Sequence, residues 1–294
     1  MTTATATPPG AAPPLGRGFE LPRALTRLRP GVILAGLVVA FFVVAAIAPA
    51  LLSSGDPDKI NLNAVLQSPS VGHIFGTDQS GRDLYTRVIY GARESLLIGF
   101  GATALAMLLA IVLGGVAGLA GGIVDGIVNR GIEILFAFPV LMLALLFVAV
   151  FGPSVKTEIV AVGISSAPGY ARMIRGQVMS VRDSGYVEAA HALGHPYGRV
   201  VRMHIFPNAM RPLVVVATLG VGQSIVWASG LAFLGLGVPP PSPEWGALLD
   251  AGRDYITKAW WLEVMPGLAI VLFALSLTTI GRWLQQRLEG ATAR

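Results

Sequence analysis

The sequence predicts an all-α polytopic membrane protein with six transmembrane helices. Three observations carry that expectation. The chain has 294 residues, of which 54% are hydrophobic and only 13% charged, against about 25% charged in soluble domains. The charge-free stretches are long enough to cross a bilayer. The segments between them alternate in charge. No cysteine is present, which excludes a disulfide framework and a thiolate metal site.

Residues 1–30 are rich in Thr, Ala, Pro and Gly. Such a composition cannot bury a core, so a disordered tail is expected. Arg23, Arg27 and Arg29 precede the first apolar run, Gly31–Leu52. That run is longer than the core of a secretory signal and long enough to span about 30 Å of hydrocarbon, so 31–52 reads as a retained first span. Residues 53–93 then form a polar segment outside the membrane. A five-helix core over 94–287 follows, with 288–294 as a tail. Its charge-free runs are Ser95–Val124, Ile134–Val155, Ile159–Ala171, Leu213–Pro243 and Val264–Gly281. Ile159–Ala171 is the weakest, being short and interrupted by Pro168.

Charge sets the orientation. With the amino terminus in the cytoplasm, the inner segments hold Arg17, Arg23, Arg27, Arg29, Arg130, Arg172, Arg175, Arg182, Arg199, Arg202, Arg211, Arg282, Arg287 and Arg294. The outer segments hold Lys59, Arg82, Arg87, Arg93, Lys156, Arg253 and Lys258, half as many, together with most of the acids. An excess of positive charge marks the cytoplasmic side, so both termini are expected there and 53–93 outside.

Ala102, Ala106, Ala110, Gly114, Gly118 and Gly122 recur every fourth residue. A small-residue face lets helix backbones approach closely in lipid, where no hydrophobic force drives them together. It predicts a compact bundle. Ser165 and Ser166 beside Pro168, and Gln223, Ser224 and Ser229 among glycines, are candidates for a translocation path. Interrupted helices and intramembrane polar groups mark such routes, and interhelical hydrogen bonding explains the same residues equally well.

One stretch breaks the apolar pattern. Tyr186–Ala209, "YVEAAHALGHPYGRVVRMHIFPNA", is polar and holds three of the four histidines. Glu188, Ala189, Ala190, Ala192 and Leu193 favour a helix, which Gly194 and Pro196 stop. A second short helix is expected from Gly198 to Ile205, with Pro207 starting the return to the membrane. From the residues alone this insert is either an amphipathic connector or a docking surface. His191 and His195 are four apart, but the Gly194–Pro196 break distorts the turn a zinc site would need, and no metal site is expected. No phosphate-binding loop or nucleophile motif is present, so neither an enzyme nor an ATPase is expected.

The insert resembles the EAA signature of the permease subunits of bacterial ABC importers. Glu188, Ala189, Ala190, Gly194 and Pro207 match it in spacing, while His204 and Phe206 stand where that pattern has Ile and Leu. "FGTDQSGRDLYTRVIYGARESLLIG", "PGYARMIRGQVMSVRDSGYVEAA", "FLGLGVPPPSPEWGALLDAGR" and "WWLEVMPGLAI" are similar to the C-type permease of dipeptide and oligopeptide (peptide/nickel) importers. The similarity spans Gly31 to Arg287. It departs at Ala167, where the family carries an aromatic residue. The resemblance implies the type I ABC-importer permease fold, a coupling helix at 183–207, and one half of a peptide pathway in the bacterial inner membrane. The implied partners are a homologous B-type permease, two ATPase subunits that use ATP and Mg2+, an extracytoplasmic peptide-binding protein and membrane lipids, with no nucleic acid and no cofactor in this chain. Nickel chelates or another small solute on the same scaffold are the alternative cargo. A membrane enzyme or receptor is the remote one.

Overall fold

A computed structural model describes residues 30–292, with side chains to 288. The tail expected over 1–29 lies outside the described residues. Eleven α-helices occur among the described residues: α1 (Pro30–Ile47), α2 (Leu84–Ala120), α3 (Gly122–Phe136), α4 (Val140–Phe151), α5 (Val155–Arg182), α6 (Gly185–Ala192), α7 (Tyr197–Val200), α8 (Phe206–Met210), α9 (Leu213–Leu231), α10 (Trp245–Gly252) and α11 (Trp261–Thr292). There is no strand among them, only a single bridge between Thr77 and Asp83.

Four helices, α1, α2, α9 with its π-helical extension to Leu236, and α11, are long and apolar enough to cross a membrane. The pair α3 and α4 makes a fifth candidate if counted as one bent span, with 84° between its halves. The count of six is reached only by adding α5, whose 28 residues rise about 42 Å at about 1.5 Å each but carry too many polar side chains to qualify by composition. The third charge-free run is therefore not one straight span. Pro139 sits at the break before α4, where its ring and missing N–H cannot continue the preceding helix, and α4 alone has 12 residues. At the carboxyl end, α11 runs on to Thr292 instead of yielding to a tail at 288.

The bundle is organised around α2, which packs most extensively on α5. Ala102, Ala106 and Ala110 are wholly buried, and Gly114 and Gly118 are buried with them. A Cβ on Gly114 would fall 2.3 Å from the Ala171 carbonyl oxygen, and one on Gly118 2.8 Å from Val178 Cβ. The repeat fails at Gly122, which is exposed because α2 has already ended at Gly121, where φ is +65°. α1 buries only Ala35, Phe42 and Ala45 and exposes Leu34 and Leu37 at 64% and 63%, the pattern of a helix laid against the bundle with its outer face in lipid.

Two structures close the ends of the bundle. The cap comprises residues 48–83 and 237–260. Its centre is Asp78, whose Oδ2 receives Arg82 Nε at 2.7 Å and Arg87 Nη1 at 2.6 Å. Arg87 Nη2 also donates to the Pro241 and Ser242 carbonyls, tying the two parts of the cap together. Burial alone would raise the Asp78 carboxyl, but the Arg82 and Ser80 backbone N–H groups and the Arg82 guanidinium hold it below the ordinary value. Beneath the cap, Phe42, Trp245 and Phe273 pack edge to face with centroids 5.1 to 6.3 Å apart. The hinge, α6 to α8, closes the opposite end.

Candidate functional site

The hinge begins at Ser184, whose hydroxyl donates to the Val181 carbonyl at 2.5 Å. α6 then runs to Ala192 and ends in a Schellman closure: His195 N donates to the Ala190 carbonyl at 3.2 Å and Gly194 N to the His191 carbonyl at 2.9 Å. That closure needs a left-handed residue, and Gly194 supplies it with φ of +78°. Nothing lies within 4 Å of where its Cβ would stand, so the demand here is conformational. Crowding at this position would come only from another molecule.

The second half of the hinge differs from expectation. The helix expected to end at Ile205 continues past Pro207. α7 continues through a π-helical turn at Val201–Ile205 into α8, with Pro207 in its first turn. A proline lacks the N–H for an i→i−4 bond, and the wider π turn absorbs the mismatch. Asn208 Nδ2 donates to the His204 carbonyl at 2.6 Å, a side-chain bond across the joint.

The hinge has two faces. Val187, Ala190, Val200, Ile205 and Ala209 are buried in one cluster with Ile132, Ile174 and Val178. Glu188 and Ala189 are exposed, and so are Leu193 at 78% and Met203 at 63%. Glu188 is unpaired among the described residues. Of the five residues of the motif, Glu188, Ala189 and Gly194 thus line the open side, Ala190 fastens the helix to the bundle, and Pro207 shapes the joint. The hinge is also pinned to the end of α2: Arg182 Nη1 donates to the Gly118 carbonyl at 2.9 Å and Tyr197 Oη to that of Leu119 at 3.3 Å. Alongside, Arg175 grips Asp125 with two bonds of 2.6 Å, joining α5 to α3. Two positively charged side chains from α5 therefore hold the segment that α6 extends.

The path candidates differ in burial, and α5 runs through Pro168 as one helix, without the interruption expected there. Ser165 and Ser229 are 5% exposed, and their hydroxyls lack a partner. Ser224 is buried and bonds Thr103 at 3.0 Å, the interhelical role. Ser166 is half-buried, and only Gln223 is exposed. Sequence reasoning missed a different set of groups at the cap. Glu244 accepts from the Ser95 hydroxyl at 2.7 Å and from Ala247 N at 2.8 Å, capping α10. Burial pushes this carboxyl up, against the pull of the Gly246 and Ala247 N–H groups and the Ser95 hydroxyl. Glu158 is also fully buried. Both were counted only as acids between spans, and a lone Glu at a span boundary carries no signal of burial.

Comparison with known proteins places this geometry. The family described as "Binding-protein-dependent transport system inner membrane component" matches residues 110–294. The dipeptide transport system permease protein DppC of Alkalihalophilus pseudofirmus is 40% identical over 253 residues, covering 86% of this chain and 83% of that protein. The probable D,D-dipeptide transport system permease protein DdpC of Escherichia coli K12 is 36% identical over 260 residues, covering 88% and 87%. The glutathione transport system permease protein GsiD of Salmonella typhimurium is 37% identical over 270 residues, covering 92% and 89%. Among solved structures, an amino acid ABC transporter superposes with a TM-score of 0.57 at 18% identity, over 69% of this chain and 94% of that one. The MetNI methionine ABC transporter in an inward-facing form superposes with a TM-score of 0.51 at 19% identity, over 67% and 96%. The fold is that of an ABC importer's membrane subunit, and the chain belongs to the family of inner membrane components of binding-protein-dependent transport systems.

Proposed function

We propose that this chain forms half of a transmembrane path for dipeptides or oligopeptides and transmits the work of separate ATPase subunits through the hinge. The observation that carries the coupling role is the hinge's two-faced build. One side is sealed to the bundle by Val187, Ala190 and Val200, while the other presents Glu188, Ala189 and the Gly194 turn. Small side chains and a turn free of crowding suit the close approach of a rigid partner. The peptide cargo is supported by the relatives, whose names specify dipeptide, D,D-dipeptide and glutathione transport.

In this reading the hinge is cytoplasmic and the cap is extracytoplasmic. A homologous permease supplies the other half of the path, two ATPases seat on the hinges and bind ATP with Mg2+, and a binding protein delivers cargo to the cap. Nucleotide-driven closure draws the hinges together and alternates access by rigid-body rotation of the halves. The test is uptake by cells deleted for this gene and complemented with it. Labelled di- and tripeptides should enter only with the gene present, and nickel uptake should be unaffected. Peptide uptake independent of the gene would overturn the reading.

A further inference from the structure

Beneath the cap, two carboxyl groups close on one alanine. Glu158, in the first turn of α5, is 0% exposed, and neither of its oxygens has a hydrogen-bond partner. A Cβ on Gly237 would stand 3.2 Å from Glu158 Oε1 and 2.3 Å from Ala232 Cβ. A Cβ on Gly246 would stand 2.9 Å from Glu244 Oε2 and 2.7 Å from Ala232 Cβ. Gly237 therefore sits directly on the Glu158 carboxyl, where a side chain would lift the chain off, while Glu244 caps the next helix close by.

The Val238 backbone N–H favours the ionised form of Glu158, but burial and the neighbouring carboxyl groups outweigh it, and no cation faces it. From α2 comes Glu94, which Ser242 contacts through its hydroxyl, and from the start of α10 comes Glu244. α9 offers no titratable residue along Leu213–Leu231, only the unpartnered hydroxyl of Ser229, and α4 contributes apolar side chains. Lys156, on α5 itself, is exposed. Of the neighbouring cations, Arg87 is committed to Asp78 and to the Pro241 and Ser242 carbonyls, and Arg253 to the Phe233 carbonyl and ring. Among the described residues no group of three or more His, Cys, Asp or Glu is placed to hold a metal ion. An ionised carboxylate without a partner is far too costly to bury, and two like charges nearby make it worse. A proton is the one cation that fits.

We propose that Glu158 is a proton-binding latch for the 235–240 stretch. With the stretch seated, the carboxyl is protonated. When it lifts, water reaches Glu158, the O–H bond breaks, the proton passes to the outer medium and the carboxylate forms. Reseating takes one proton back from the same side, so no net proton crosses the membrane. Only the leading stretch 235–240 has room to lift: Gly235 gives it a left-handed pivot with φ of +80°, while Arg87 and Trp245 hold the residues that follow. Linkage gives the sign. The seated state binds the proton more tightly than the open state, so its advantage is full below the ordinary carboxyl value of about 4.3. It is lost progressively as pH rises toward the seated-state value.

The latch rests on the cap being extracytoplasmic. Because the chain has no cysteine, Val238→Cys gives a single reporter, with Pro239→Cys as a second. Each is made with Glu158 and with Glu158→Gln, which keeps the shape and cannot titrate. Right-side-out membrane vesicles containing the assembled transporter are labelled with an impermeant maleimide from about pH 5 to about pH 9. Dividing the rates in the two backgrounds at each pH cancels the reactivity of the thiol. The Glu158-to-Gln ratio should climb with pH, by at most about tenfold per unit. A ratio independent of pH for both reporters overturns the latch and leaves the permease reading standing. Labelling only in inverted vesicles, which expose the cytoplasmic face to the reagent, overturns the orientation and the latch together.

Discussion

Trp245 Nε1 donates to the Val88 carbonyl at 2.8 Å across 157 residues of sequence. The indole is fully buried, and its backbone N–H is received by the Ser95 hydroxyl at 3.0 Å. A single residue thus locks the segment after α9 to the first turns of α2 and fills the centre of the aromatic trio with Phe42 and Phe273.

Replacing Trp245 by Ala should cost about 3–5 kcal/mol, the range for removing a large buried aromatic. Trp245→Phe keeps most of the apolar contact but loses the indole bond to the Val88 carbonyl, which the helix still pairs, so a smaller loss of about 0.5–1.5 kcal/mol is expected. Thermal unfolding of the purified protein in detergent checks both. Equal melting temperatures for wild type and Trp245→Ala would show that the trio is not a stability element.

Asp78 is the counter-charge for two arginines. Asp78→Asn should destabilise the cap by about 3–5 kcal/mol, because Arg82 and Arg87 are left buried without compensation. The pH dependence has a definite sign. The carboxyl is held below its ordinary value, so its contribution is complete above about pH 3.9 and disappears as pH falls through the lowered value. Proteolysis of the 48–83 segment, followed against pH, should show an acid-induced loosening in wild type that Asp78→Asn shows already at neutral pH.

The orientation is open to a direct measurement. Ser54→Cys and Ser184→Cys lie at opposite ends of the bundle, and Ser54 is exposed in the cap. In intact cells an impermeant thiol reagent should modify Ser54→Cys and spare Ser184→Cys. Equal modification would exclude the assigned topology.

At the hinge, Gly194→Asp should abolish transport while leaving insertion intact. The backbone there is left-handed, so any Cβ adds strain of about 1–3 kcal/mol and places a side chain against whatever seats on the open face. Glu188→Lys should be milder, since a rim ion pair is worth about 0.2–1 kcal/mol. The readout is ATP hydrolysis by the reconstituted complex with and without loaded binding protein. Normal stimulated hydrolysis in Gly194→Asp would reduce the hinge to a connector.

Much of this architecture is legible in the residues because the bilayer imposes simple demands. The charge-free runs around Val38, Leu105, Val221 and Ile270 each became a spanning helix, and the alanine–glycine row faces α5 as close packing requires. The failures have local causes. The run through Pro139 is apolar from end to end, so composition cannot reveal the break that the proline makes. Pro207 reads as a helix stop, yet a π turn shifts the bonding pattern enough to keep the helix going. α5 mixes a buried face holding Ala161, Ala171 and Ile174 with an exposed face holding Lys156 and Arg172, and averaging over the two conceals a long helix. The Gly194 turn is legible because a run of helix formers ends at a glycine followed closely by Pro196. The Glu158–Glu244 site is not, since it joins residues 86 positions apart that only the fold brings together.

α2 has 37 residues and is unbroken, so at about 1.5 Å each it is a strut of about 55 Å. Its first turns carry Arg87 and Ser95, which hold the cap, and its last turn carries the Gly118 and Leu119 carbonyls, which hold the hinge. Toward its hinge end, Gly114 bears on α5 without room for a methyl group, and nearer the cap Gly163 of α5 comes close to the Ala102 carbonyl, with 3.1 Å from that oxygen to where its Cβ would stand. The strut is therefore braced along its length, and cap and hinge hang from the same rigid girder.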